Sequence, residues 1–217
     1  MKIIFLCGSL KPGCDRVGDY SRRLAVELLR QGHRVKIVAI ADKHAKNTIR
    51  EVQVQESIPI NVVRIPACLS YKRRLPVLKS EIFTYKPDWL SLQFVIFSFH
   101  PKGLPVGLRK FLSSVGTDCK WHIMFHELWL GMERGSTFKH KIWGGIQLGI
   151  VKLLLLKLKP QVIHTQAKIY QHQLSELGIS PKLLPLFPNI FISEKGRAPL
   201  LTNNEGHRKR FSLIMFG

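Results

Sequence analysis

The chain has 217 residues, enough for one large domain or one domain and the start of another. Its apolar fraction of 45% and charged fraction of 22% exclude a disordered or collagenous polymer. Against 14 Asp and Glu stand 34 Lys and Arg, a formal charge of +20, which points to an anionic partner: nucleic acid, the cytoplasmic face of a membrane or a phosphorylated small molecule.

Residues 2 to 10 (KIIFLCGSL) form a short apolar run that stops at Pro12 and Gly13, the pattern of a parallel strand covered on both faces. A signal peptide is not indicated, because the run is short and no small-residue cleavage site follows. A helix is expected from Asp19 to Gln31, with Tyr20, Leu24 and Leu28 on one face, Asp19 as cap and Gly32 as its left-handed end. HRVKIVAIA follows as the second strand. NVVRIP (61 to 66) is the next strand, a basic helix runs from about Lys72 to Tyr85, and WLSLQFVIF (89 to 97) is again a strand. Beyond it come a helix near 105 to 114, the strand CKWHIMFHEL (119 to 128), a long helix near 137 to 158, the strand PQVIHTQ (160 to 166), a helix near 167 to 177 and KLLPLF (182 to 187). Strand and helix alternate throughout, so the expected fold is a doubly wound parallel α/β sheet. Residues 191 to 210 are polar, basic and rich in turn formers, as a linker is, and FSLIMFG (211 to 217) has the pattern of the first strand of another unit.

Three enzyme classes are set aside. There is no GxxxxGK[ST] loop, no GxSxG elbow, and no GxGxxG after the first strand, where the sequence is GSLKPG. Cys7, Cys14, Cys68 and Cys119 make no CxxC pair and have no His at zinc-finger spacing, so neither a metal site nor a disulfide framework is indicated, and a reducing cytoplasm is the simpler setting. His122 and His126 lie about 13 Å apart at about 3.3 Å per strand residue, too far to share one ion. His126-Glu127 does not open an HExxH site, because Leu130 stands at the fifth position. What remains is PGCDRVGDYSRRLA (12 to 25), which puts Gly13 and Gly18 around a basic turn that starts a helix. Glycines there let backbone N–H groups approach an anion, and a helix N-terminus favours negative charge; taken alone, the same loop is also an ordinary tight turn with a cap.

The run VGDYSRRLAVELLRQGHRVKIVA, with KIIFLCGSL before it and MFHE at the end of a later strand, resembles the N-terminal domain of retaining GT-B glycosyltransferases of family 4. The resemblance extends in element order over residues 1 to 190, and its specific residues lie at 8 to 40 and 122 to 128. It implies that Gly13, Arg16, Val17, Gly18, Asp19 and Tyr20 help to frame the diphosphate of a nucleotide-sugar donor, and that His126 lies close to the reacting sugar. Gly32-His33 matches the family's Gly-His pair after the first helix. Arg16 departs from the pattern by standing where the family usually has a second glycine, so that it either crowds the loop or adds a phosphate contact. The family's C-terminal donor-binding domain would follow Gly217. The chain is accordingly expected to be the acceptor-side half, inactive alone, acting on a sugar or lipid-linked acceptor with a nucleotide sugar as substrate and with no metal or other cofactor. Glu127 is either the orienting partner of His126 or an ordinary surface carboxylate, and the opposite facing of adjacent strand residues favours the latter.

Short basic runs, YKRR (71 to 74) and HRKR (207 to 210), have the character of solvated faces or linker. No helix-turn-helix or RNA-binding signature accompanies them, which disfavours nucleic acid. In the long helix Lys141, Lys152 and Lys159 fall on nearly one line. They are either a narrow wet stripe on a core helix or a contact with anionic headgroups, which would make the protein peripheral on the inner membrane face. The rival to sugar transfer is a non-catalytic module that holds anionic lipid or nucleic acid.

Overall fold

The computed structural model describes residues 1–186 except Thr117 and Arg134. The expected linker (191 to 210), the expected strand (211 to 217) and the last residue of KLLPLF lie outside the described residues. Among the described residues the elements follow in the order β1 (Lys2–Cys7), α1 (Arg16–Arg30), β2 (Arg34–Asp42), β3 (Ile49–Gln55), β4 (Ile58–Pro66), α2 (Tyr71–Tyr85), β5 (Trp89–Phe94), α3 (Ile96–Phe99), α4 (Leu108–Ser113), β6 (Lys120–Phe125), α5 (Phe138–Leu158), β7 (Val162–Thr165), α6 (Lys168–Ser175) and β8 (Lys182–Leu183).

The eight strands form one sheet in the order β3-β4-β2-β1-β5-β6-β7-β8, and every pair is parallel except β3 with β4. The doubly wound, Rossmann-like sheet expected from the alternation is therefore present, with one antiparallel edge strand that the sequence reading lacked. The chain steps from β1 to β2 in one direction, then returns across the sheet to β5 and continues outward in the other. Right-handed crossovers put the connecting helices of these two excursions on opposite faces. The packing follows that rule. Ala25 and Val26 of α1 cover Ile3, Phe5, Ile37 and Val62 on one face. On the other, Leu78 (α2), Phe111 (α4), Val151 (α5) and Leu174 (α6) cover Leu6, Leu92 and Ile123. Leu6, Leu92 and Ile123 are fully buried, each worth about 2 kcal/mol of apolar transfer.

Helix α1 begins three residues earlier than expected. Asp15, not Asp19, is its cap: the Asp15 carboxylate accepts from the Gly18 N–H at 2.8 Å. Asp19 in the first turn accepts instead from the Gly13 N–H at 3.2 Å and pairs with Arg22. Its C-terminal end is as expected, since Gly32 at φ +79° lets the Gly32 and His33 N–H groups reach back to Leu29 and Leu28. The strand expected over 89 to 97 stops at Phe94, where the chain turns into the short α3.

Candidate functional site at the carboxyl end of the sheet

Strand β1 lies between β2 and β5, and the chain leaves it in one direction before returning to the other. The carboxyl ends of β1 and β5 thus flank the switch point of the sheet, the place where open α/β sheets leave a crevice. A cleft of about 640 Å³ opens there, lined by Ser9, Asp15, Lys43, Tyr71, His100 and Glu127 among others. A larger hollow of about 1090 Å³ lies at the amino ends, beside Trp89 and Lys120. The carboxyl-end cleft is the better candidate despite its smaller volume, because loops from five strands converge on it.

Two glycines allow that convergence. A Cβ on Gly8 would stand 2.5 Å from the Ser98 Cβ, so only glycine lets the end of β1 meet α3. A Cβ on Gly18 would stand 2.6 Å from the Ser9 carbonyl oxygen, so glycine also seats the first turn of α1 against the loop that precedes it. Gly18 therefore acts in helix packing, and its φ is not positive. Gly13, at φ +70°, is the loop glycine with a left-handed backbone.

Buried ion pairs fix the loop from below. The Asp42 carboxylate, fully buried at the end of β2, accepts from the Ser9 hydroxyl, the Leu10 and His44 N–H groups and the Arg64 guanidinium. Burial alone would raise its pKa, but Arg64 and the two N–H donors hold it below the ordinary carboxylate value. Asp15 goes the other way: burial raises it, opposed by the Gly18 N–H and by Lys43. Arg74 of the YKRR run is buried and donates to the Leu69, Ile40 and Ala67 carbonyls. It ties strand ends together, while Lys72 and Arg73 are exposed.

His126 is the first residue beyond β6, and its N–H donates to the Phe94 carbonyl at 3.0 Å. Only 4% of it is exposed. Tyr20 of α1 meets its ring edge-on, with centroids 4.9 Å apart. Burial lowers the His126 pKa to about 4, so the imidazole is neutral at pH 7. Its Nε2 lies 2.9 Å from the Gln93 Oε1. An amide oxygen only accepts, so Nε2 carries the proton and Nδ1 keeps its lone pair. The network continues: the Gln93 amide donates to the Ser91 hydroxyl, whose oxygen lies 2.7 Å from His122 Nδ1. His122 Nε2 then lies 2.9 Å from His164 Nδ1 on the neighbouring strand. Burial, then His164 and His126, lower the His122 pKa to about 4.

Of the residues singled out in the sequence, Tyr20 and His126 are brought into contact, and Gly13 and Asp19 into a hydrogen bond. Arg16 is exposed and Val17 half-buried, both in the first turn of α1 and not in a loop. Lys141, Lys152 and Lys159 are exposed along α5, which covers the sheet face opposite α1. Glu127 is exposed to the cleft while His126 is buried; both lie beyond the end of β6, so the difference does not come from strand alternation. Among the described residues no group of His, Cys, Asp and Glu is placed to hold a metal ion. Gln93, Ser91 and His164 were missed, although polar residues at alternate positions of WLSLQF were a readable sign.

No protein-family model and no curated protein sequence matches the chain. The fold is similar to that of sucrose-phosphate synthase from Thermosynechococcus elongatus, with a TM-score of 0.56 and 13% identity over 85% of this chain and 48% of that one. That likeness shows the fold alone. The chain spans about half the length of the enzyme it matches. An alpha-glucosyltransferase solved with UDP and a 13-mer DNA containing a HMU base follows at a TM-score of 0.47, 12% identity and coverage of 85% and 41%. The UDP-glucose 4-epimerase of Thermus thermophilus, solved as a complex with NAD, stands at 0.39, 10% identity and coverage of 76% and 54%. Scores this low add no weight to the fold assignment.

Proposed function

We propose that this chain is the acceptor-side half of a retaining GT-B sugar transferase that moves a sugar from a nucleotide donor to an acceptor lying in the carboxyl-end cleft. The observation that carries this reading is the meeting of Tyr20 with His126 beside the switch point, which unites the two segments that resemble family 4. A neutral, buried imidazole with a fixed tautomer offers Nδ1 as an acceptor for a sugar hydroxyl once Tyr20 gives way. On this reading the Gly13 turn and the N-terminus of α1 would frame the donor diphosphate, since a helix N-terminus favours negative charge. Asp15 and Glu127 are the groups in the cleft suited to binding acceptor hydroxyls.

On this reading no metal or other cofactor takes part, the donor nucleotide is held by a second domain, and residues 1–217 alone transfer no sugar, since half a cleft orients neither substrate. The test is a titration of the isotope-labelled chain with uridine and guanosine diphosphate sugars, followed by amide shifts. Shifts confined to residues 13 to 20 and 126 support the reading; shifts confined to the amino-end hollow refute it.

A further inference from the structure

We propose that the outer face of α5 is a membrane-docking surface that lies in the plane of an anionic leaflet. Ordinary surface helices turn a polar face outward. Helix α5 does not. Its buried residues, Val151, Leu154 and Leu158 among them, form one side. The opposite side exposes Phe138, Ile142, Ile146, Leu153 and Leu156, with Phe138 79% and Leu156 71% exposed. At about 100° per residue these five fall within about 80° of arc.

Lysines border this apolar strip on both sides. Lys141, Lys152 and the cap residue Lys159 form one row within about 20° of arc, and Lys139 and Lys157 coincide on the other flank. Helix α5 contains no Asp or Glu. An apolar strip between two cationic rows is the arrangement in which side chains enter the acyl boundary while ammonium groups reach headgroup phosphates. Lys152 and Lys159 also line an apolar groove of about 470 Å³ beside Leu155, Ile163 and Ile179, which sets these cations against apolar surface. Among the described residues no helix is long and apolar enough to cross a membrane, so the contact is in-plane. The three lysines taken from the sequence are thus one edge of a larger surface. The charge pattern selects an anionic bilayer over a second copy of the chain, because two such faces would place like charges opposite each other. The inference does not depend on sugar transfer.

The test is flotation of the full chain with phosphatidylcholine vesicles, with and without phosphatidylglycerol. Binding is expected only with the anionic lipid, falling as salt is raised. Changing Lys141, Lys152 and Lys159 to Gln should weaken it by roughly 100-fold, about fivefold per lysine. Ile142→Ser with Leu153→Ser, both at exposed positions, should weaken it at least tenfold without changing its salt dependence. As a check that needs no loss of binding, Phe138→Trp adds emission that brominated acyl chains should quench. Equal binding by the parent and both variants, or unquenched emission from the added Trp, overturns the proposal. So does a dimer in light scattering that the Ser variant dissociates in the absence of lipid.

Discussion

Lowering the pH from 7 to 5 should destabilise this protein by several kcal/mol, and the cause is the buried histidine network. In the folded state His122 and His126 titrate at about 4, against about 6.5 for an unfolded imidazole. The depressed values mean that below 6.5 the unfolded chain binds protons that the folded chain refuses. The penalty is therefore absent above that pH, grows as pH falls and levels off below about 4. At pH 5 each imidazole accounts for about 2 kcal/mol, and the pair for roughly 4 kcal/mol, a sizeable part of the 5 to 15 kcal/mol typical of a domain. His164 is lowered for the same reason and adds in the same direction. Asp42 and Glu81 are held below their ordinary values, so their contributions are lost only below the window. Asp15, raised by burial, acts in the opposite sense and trims the loss. Urea unfolding followed by circular dichroism at the two pH values measures the effect directly, and His122→Gln or His126→Gln should each remove about half of the pH dependence. Midpoints that coincide at pH 7 and 5 would refute the claim that these imidazoles are buried and neutral.

Three further outcomes concern the scaffold. Asp42→Asn leaves the Arg64 guanidinium without its buried counter-charge and should cost about 3 kcal/mol in urea unfolding. Gly144→Ala gains about 1 kcal/mol of helix propensity but puts a Cβ 1.8 Å from the Leu130 carbonyl oxygen, so a net loss of at least about 2 kcal/mol is expected. At the neighbouring Gly145 a Cβ meets nothing within 4 Å, and the same substitution should raise stability by up to about 1 kcal/mol.

The order of strands and helices was legible because each apolar run is separated from the next by an amphipathic segment, with Gly32 or a Pro-Asp break marking the joins. The β3–β4 hairpin was not. Its two-residue turn, Glu56-Ser57, has φ of 50° and 62° without the Asn-Gly or Asp-Gly that normally announces such a turn. The start of α1 was misplaced because Asp19 was taken as its cap, whereas the Asp15 carboxylate accepts from the Gly18 N–H and the helix begins at Arg16. At the site, the alternation argument for Glu127 did not apply, because β6 ends at Phe125, but His126 was visible at a strand end. Its hydrogen-bond chain was not visible, because the link from His122 to His164 depends on which strand lies beside β6 and in what register. The apolar outer face of α5 was hidden for a related reason: a helix that is apolar nearly all round shows which side is free only once its buried side is known.

The central claim is that a sugar is transferred in the carboxyl-end cleft beside His126. The most direct measurement is transfer from radiolabelled nucleotide sugars to membrane-extract acceptors, by residues 1–217 alone and by the same residues supplied with a donor-binding domain. Product formed only in the second case, with the anomeric configuration retained and the rate reduced at least about 100-fold by His126→Ala, is the expected result. Transfer by residues 1–217 alone at an ordinary enzymatic rate, or transfer unaffected by His126→Ala, would contradict it.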